Sequence, residues 1–255
     1  EHDEAEGVSI AGTAGVVSLA APKKHGAFWV KDMAGPSGLK QWTKTNDGLI
    51  ADFDGNGYKD VFYSRHGTIK PRLALNDGSR FDNAPTSAFG AVDRHGCDKG
   101  DLDGDSKRDI ICSVGASRGK AVKRHEVSLA PDKGSRALAR SGLGISDPFG
   151  RGRLVGVLKQ DNDRYPEVFI ANAPDRNHGF PGDNRFYRNL GDVVFQDVTD
   201  AVGLGGLAVN SFPTIFHDFD DDDRPDLYVA VDGGSDEFYW NTPTGFVNDT
   251  LAVGT

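Results

Sequence analysis

Four stretches of the chain crowd acidic residues around one point: DFDGNGYKD from Asp52, DLDGDSKRD from Asp101, KQDNDRYPE from Lys159 and DFDDDDRPD from Asp218. Carboxylates packed this closely repel one another unless a cation lies between them, so the recurring loop predicts a bound ion. The alternation Asp-x-Asp-x-Asp/Asn, then a carbonyl donor and a further acid, offers only hard oxygens. Calcium suits such a set, taking six to eight oxygens at roughly 2.3–2.6 Å, whereas magnesium prefers a tighter octahedron and zinc looks for Cys or His.

Numbering each loop from one to nine, the first offers Asp52, Asp54, Asn56, the carbonyl of Tyr58 and Asp60. The second offers Asp101, Asp103, Asp105, the carbonyl of Lys107 and Asp109; the fourth offers Asp218, Asp220, Asp222, the carbonyl of Arg224 and Asp226. The third departs, with Lys159 first and Glu167 last, leaving Asp161, Asp163, the carbonyl of Tyr165 and Glu167. Three strong calcium sites are expected, with weaker binding or none at the third loop, because the lysine ammonium takes part of the charge space. An EF-hand is excluded: its twelfth position needs a bidentate Glu, and here stand Tyr63, Cys112 and Val229.

Each loop is followed by a short apolar run of strand formers, VFYS from Val61, IICSV from Ile110, VFIA from Val168 and LYVAV from Leu227. Apolar stretches also precede the first, third and fourth loops, so the acidic loop joins two antiparallel strands. A second pattern follows downstream: RLALNDGSRF from Arg72, EVSLAPDKGSRAL from Glu126, RFYRNLGDVVF from Arg185 and EFYWNTPTGF from Glu237 each read as strand, turn, strand. Units of about four strands result. Loop starts at 52, 101, 159 and 218 lie 49, 58 and 59 residues apart, and a four-stranded unit repeating every 40–60 residues or so is the mark of a β-propeller blade.

These residues resemble the FG-GAP/VCBS repeat family of calcium-binding β-propellers, which includes integrin α-subunit heads. The segment Asn184 to Leu204, NRFYRNLGDVVFQDVTDAVGL, is similar to repeats of the cartilage acidic protein and UnbV-related group. The resemblance implies a propeller with calcium in its loops and leaves activity open. If VVSLAAPKKHGAFW from Val16 matches EVSLAPDKGSRAL from Glu126, residues 8–33 are part of a further blade. The expectation is one all-β domain over residues 1–255, five-bladed if it closes alone, or else part of a seven-bladed ring. Residues 1–15 are expected to form a loosely ordered segment.

Of the composition, the 33 glycines fit a protein built of turns, and the net charge of −9 needs comment. The ligand positions hold fourteen carboxylates, three, four, three and four in chain order, so four calcium ions bring the balance to about −1. The acidity is mostly a metal signature and says little about an acidic or basic partner; no nucleic-acid partner is expected. The apolar stretch Val8 to Ala21 is too short for a bilayer, where about 20 residues are needed, and acids precede it where a signal peptide has bases. Cys97 lies four residues before Asp101 and Cys112 three after Asp109, facing each other if the loop is a hairpin turn. A disulfide there adds about 3 kcal/mol on the loop-entropy estimate and places folding in an oxidising compartment; two free thiols in neighbouring strands are the alternative.

No catalytic constellation emerges. Gly115 to Gly119 spells G-x-S-x-G, but that elbow must follow a strand and open a helix. GLGGLA from Gly203 reads as a turn. The seven histidines are scattered, none at metal-ligand spacing with another, and His217 falls on the strand entering the fourth loop. Phe28, Phe81, Phe195 and Phe246 recur at matching positions and read as packing between blades. Ligand contacts are expected on the less repetitive loops Pro174 to Asn184 and Ser117 to His125. The expected function is a secreted or cell-surface, calcium-stabilised binding or adhesion module for glycan or protein. A carbohydrate-active enzyme, lyase or hydrolase, on the same scaffold and a structural segment of a larger surface assembly are the alternatives.

Overall fold

The computed structural model describes residues 31–39, 44–86, 89–115, 125–129, 145, 151–161, 163–174, 182–207 and 211–253. They form four antiparallel sheets, each a meander in which successive strands pair. The first holds β1 (Thr45–Ala51), β2 (Asp60–Arg65), β3 (Arg72–Asn76) and β4 (Phe81–Ala84). The second holds β5 (Arg94–Gly100), β6 (Asp109–Val114) and β7 (Glu126–Ser128). The third runs through β8 (Arg151–Leu158), β9 (Glu167–Ala173), β10 (Arg185–Asn189) and β11 (Phe195–Asp197). The fourth comprises β12 (Ser211–His217), β13 (Asp226–Val231), β14 (Glu237–Thr242) and β15 (Gly245–Asn248), followed by a single helical turn, α1 (Thr250–Val253).

The repeated strand-turn-strand segments are thus the hairpins β3–β4, β10–β11 and β14–β15. Of EVSLAPDKGSRAL only the opening is described, as β7, and the rest lies outside the described residues, as does residues 8–30 of the suggested further blade. Within that segment, residues 31–33 are not strand. No helix among the described residues is long and apolar enough to cross a membrane.

The sheets pack face against face, and the core lies in the layers between them. Leu49, Phe62 and Leu73 of the first meet Cys97, Ile110 and Cys112 of the second. Leu102, Ile111 and Val127 meet Val155, Val168, Ile170, Tyr187 and Phe195, and Phe169 and Phe186 meet Leu227, Val229 and Phe246. The second and third sheets are therefore covered on both sides, which is why β6 and β9 are buried at every residue and read as continuous apolar runs. Phe195 and Phe246 pack between sheets as expected, Phe246 edge-on to Phe186 at 5.6 Å; Phe81 is half-buried and Phe28 lies outside the described residues.

The first strands of successive sheets, β1, β5, β8 and β12, stand next to one another. Carboxylates tie them: Cys97 N donates to Asp47 Oδ2 at 2.7 Å and Val157 N to Asp98 Oδ2 at 2.8 Å. Glycine permits the approach, since a Cβ on Gly96 would lie 2.4 Å from Leu154 Cα and one on Gly156 2.7 Å from the Phe216 ring.

Candidate metal centres

The acidic loops connect β1 to β2, β5 to β6, β8 to β9 and β12 to β13, at the same end of every sheet. In each, three carboxylates offer oxygens within 4.8 Å of one another: Asp52, Asp54 and Asp60; Asp101, Asp103 and Asp109; Asp161, Asp163 and Glu167; Asp218, Asp220 and Asp226. The last acid opens the second strand and is wholly buried, with Asp60, Asp109, Glu167 and Asp226 all at 0% exposure. One of its oxygens accepts from the backbone N–H of position two: Phe53 at 2.7 Å, Leu102 at 2.7 Å, Gln160 at 3.0 Å and Phe219 at 2.9 Å. In the first and fourth loops the other oxygen accepts from Asn76 N and Asn241 N, each at 2.8 Å, so the acid also clamps the third strand.

The loop interior repeats equally closely. The position-one carboxylate accepts from the N–H of position six: Gly57 to Asp52 at 2.9 Å, Ser106 to Asp101 at 2.9 Å, Asp223 to Asp218 at 2.8 Å. The position-five side chain accepts from position seven: Tyr58 N to Asn56 at 2.8 Å, Lys107 N to Asp105 at 2.9 Å, Tyr165 N to Asp163 at 2.7 Å and Arg224 N to Asp222 at 2.9 Å. In the first, second and fourth loops the chain wraps through left-handed backbone at positions four and six. Gly55 and Gly57, Gly104 and Ser106, and Asp221 and Asp223 all have positive φ, a conformation that Gly, and to a lesser degree Asp and Asn, adopts readily.

Two expected carboxylate ligands stand apart from the trios. Asp105 Oδ2 pairs with Lys107 Nζ at 2.7 Å, and Asp222 pairs with the Arg224 guanidinium. Asn56 Nδ2 donates to Asn76 O at 2.8 Å, leaving its oxygen on Tyr58 N. The carbonyl-bearing residues Tyr58, Lys107, Tyr165 and Arg224 are each held in the turn by that N–H bond to position five.

Electrostatics favour a cation. Burial pushes Asp60 and Asp103 above the usual carboxylate range, with neighbouring aspartates adding to it, and pushes Glu167 up to about 7 with Asp161 and Asp163 contributing. Burial also raises Asp52 and Asp218, but backbone N–H groups outweigh it and both end below their ordinary value. Asp101 Oδ1 and Glu167 Oε1 are buried with no hydrogen-bond partner among the described residues. A buried carboxylate oxygen with no donor is costly, and a hard divalent ion removes that cost. The donor set is all oxygen and anionic, as calcium requires.

At the opposite end of the sheets lies a group that reading along the chain did not bring together. His66 Nδ1 is 2.9 Å from Asp93 Oδ1, and His95 Nε2 is 3.2 Å from Asp93 Oδ2. No sequence spacing marks this group: 27 and 29 residues separate His66 from Asp93 and His95, and the packing of β5 beside the β2–β3 turn joins them. Arg153 Nη1 donates to His95 Nδ1 at 2.9 Å. Burial, then the Arg153 cation, draws His95 below its ordinary pKa; burial raises Asp93, but Gly67 N–H and the histidines more than offset it.

Cys97 and Cys112 are direct cross-strand partners on β5 and β6 and are joined by a disulfide. Residues 175–181 and 117–124 of the suggested ligand loops, like Ala116 to Gly119 of the G-x-S-x-G stretch, lie outside the described residues. The chain leaves β6 at Gly115 and β9 at Pro174 on the end opposite the acidic loops. GLGGLA is a turn as far as Leu207, and His217 ends β12, exposed.

With meander sheets and repeated acidic hairpins in view, the chain belongs to the class of all-β repeat arrays. Residues 52–112, spanning the first acidic loop through the strand after the second, match the FG-GAP-like repeat family. Among solved structures, a lectin from Agrocybe aegerita, described as recognising non-reducing terminal N-acetylglucosamine, is similar at 18% identity with a TM-score of 0.48. The likeness covers 79% of this chain and 51% of that one, so the chain spans about half the length of the lectin. No match was found among curated proteins.

Proposed function

We propose that the chain is a calcium-stabilised β-propeller module, exported to an oxidising compartment, that binds glycan or protein through the end of its sheets opposite the acidic loops. The reading is carried by one observation: four equivalent hairpins each close on a fully buried acid that gathers two further carboxylates. Calcium in these loops would be held by Asp52, Asp54 and Asp60, by Asp101, Asp103 and Asp109, by Asp161, Asp163 and Glu167, and by Asp218, Asp220 and Asp226. The ion supplies charge neutralisation at the hairpin and no chemistry. The sheets are then blades, four described here, with five in a ring that closes alone. The Cys97–Cys112 bridge supports the extracellular address, where calcium is plentiful.

Recognition falls to loops carried by this rigid scaffold. The chain crosses between β6 and β7, and between β9 and β10, at the end away from the ions, so calcium stabilises the frame without touching the ligand. A glycan array and a panel of protein ligands, screened with calcium and with chelator, test this. Binding to a defined ligand that fades only as the protein unfolds in chelator supports the reading. Cleavage of a polysaccharide by the calcium-loaded protein, lost on mutating an acid outside the loops, overturns it in favour of an enzyme.

A further inference from the structure

We propose that His66, Asp93 and His95 form a second metal centre of a different class, one that takes a borderline transition ion such as zinc, with Arg153 as its gate. No atom is shared with the acidic loops, so the inference stands apart from the calcium reading. Two imidazole nitrogens and one carboxylate are the donors that zinc, nickel and ferrous iron prefer, and they suit calcium poorly. One donor atom from each residue lies within 4.8 Å of the other two. In a tetrahedral site with bonds of roughly 2.0–2.1 Å, neighbouring donors stand about 3.3 Å apart. Asp93 Oδ1 is 2.9 Å from His66 Nδ1 and Oδ2 is 3.2 Å from His95 Nε2, so the carboxylate meets one imidazole on each oxygen and an ion entering the cluster replaces those two contacts.

The surroundings hold the donors in place. Asp93 stands just before β5 and His95 at the irregularity in its pairing with β6, between Arg94 and Gly96, and the bulge turns the His95 ring onto the Asp93 carboxylate. Gly67 N donates to Asp93 Oδ1 at 2.7 Å, fixing the carboxylate, and Gly115 N donates to Asp93 O at 2.8 Å. A Cβ on Gly115 would fall 2.6 Å from His95 Cδ2 and 2.8 Å from Nε2, so the ring occupies space that only glycine leaves. The His66 side chain is 45% exposed, which gives an ion a path from solvent and leaves coordination positions for water or ligand.

Arg153 determines when the site loads. Its Nη1 donates to His95 Nδ1, which places the ring proton on Nε2, toward Asp93. A metal on Nε2 needs that proton on Nδ1 instead, so Arg153 must turn away as the ion enters. Its guanidinium also opposes the incoming charge. The site is therefore a weak one whose affinity rises when Arg153 is drawn off by an anionic ligand.

The test uses the tag-free full chain in saturating calcium, titrated with cobalt and then zinc, following the visible cobalt spectrum and the heat of binding. One equivalent with nitrogen-ligated cobalt bands is expected, lost in His66→Ala and His95→Gln and kept in His217→Ala, a histidine outside the cluster. Arg153→Gln should bind more tightly by about tenfold or more, within the range of outer-shell substitutions. Should His95→Gln fail to fold, the half-exposed His66→Ala decides. Uptake of no cobalt by the wild type, or uptake that survives His66→Ala, overturns the site; unchanged affinity in Arg153→Gln overturns the gate.

Discussion

The second and third acidic loops occupy the same place in adjacent sheets, yet they solve the same electrostatic problem differently. The second begins with Asp101, whose carboxylate draws in Ser106 N–H and needs left-handed backbone at Gly104 and Ser106. The third begins with Lys159, shows no left-handed residue at Arg164, and keeps the last acid, Glu167, while taking its other two from positions three and five, Asp161 and Asp163. The longer Glu167 reaches back to Gln160 N as Asp109 reaches Leu102 N. Protein cations also approach the third loop, for Arg188 Nη2 lies 2.9 Å from Asp161 Oδ2. The buried last acid and the hairpin are thus the common requirement, while the first acid can be exchanged for a lysine.

The covalent frames differ too. Cys97 and Cys112 pair across β5 and β6, and the corresponding cross-strand pair four residues before and three after the third loop is Val155 and Ile170. The second hairpin is stapled where the third relies on apolar packing.

The largest expected effect comes from removing the ions altogether. Each site at a hundredfold excess over its Kd stabilises by about 2.7 kcal/mol, so three strong sites give about 8 kcal/mol. Chelation should lower Tm by roughly 15–30 °C, measured by calorimetry, and a shift of only a few degrees would refute linked binding. Next in size, Cys97→Ala with Cys112→Ala should cost about 3 kcal/mol in urea unfolding and leave calcium stoichiometry intact; loss of the second site would mean that the staple, rather than the carboxylates, shapes the loop. Within the loops, Asp103→Asn should remove one site and about 2.7 kcal/mol at the same calcium excess, whereas Asp161→Asn should cost under about 1 kcal/mol. Equal losses would erase the distinction between the two loops.

A pH dependence is expected from the far end of the second sheet. His125 accepts from Val114 N at 3.2 Å and is buried to about 4 in pKa by desolvation. Its folded pKa lies below the ordinary value, so the unfolded chain takes up the proton first as pH falls. Stability should be full above about pH 6.5, decline toward pH 4 and be about 2 kcal/mol lower at pH 5. Repeating the titration in saturating calcium with His125→Gln should remove most of that slope; an unchanged slope would assign it to other groups, His95 and the carboxylates among them.

How much of this is legible from sequence differs by range. The acidic hairpins, their flanking strands and the third loop's deviation follow from local spacing, because the alternation places donors on one side of a turn and the β-branched runs leave few other conformations. The turn of Asp105 and Asp222 toward Lys107 and Arg224 is less evident, since position seven offers a carbonyl in every loop while its side chain differs from loop to loop. The left-handed Asp221 and Asp223 carried a faint signal, standing where Gly55 and Gly57 stand in the first loop. The meeting of His66 with Asp93 and His95 had none: it depends on how one sheet lies on the next, which no local pattern records.

Calcium stoichiometry measured by titration calorimetry on chelator-stripped protein tests the central claim most directly. The account predicts at least three tight sites, a weaker fourth at the third loop, and one site fewer in each of Asp103→Asn and Asp220→Asn. Stripped protein that takes up no calcium, or variants that bind as many ions as the parent, would contradict it.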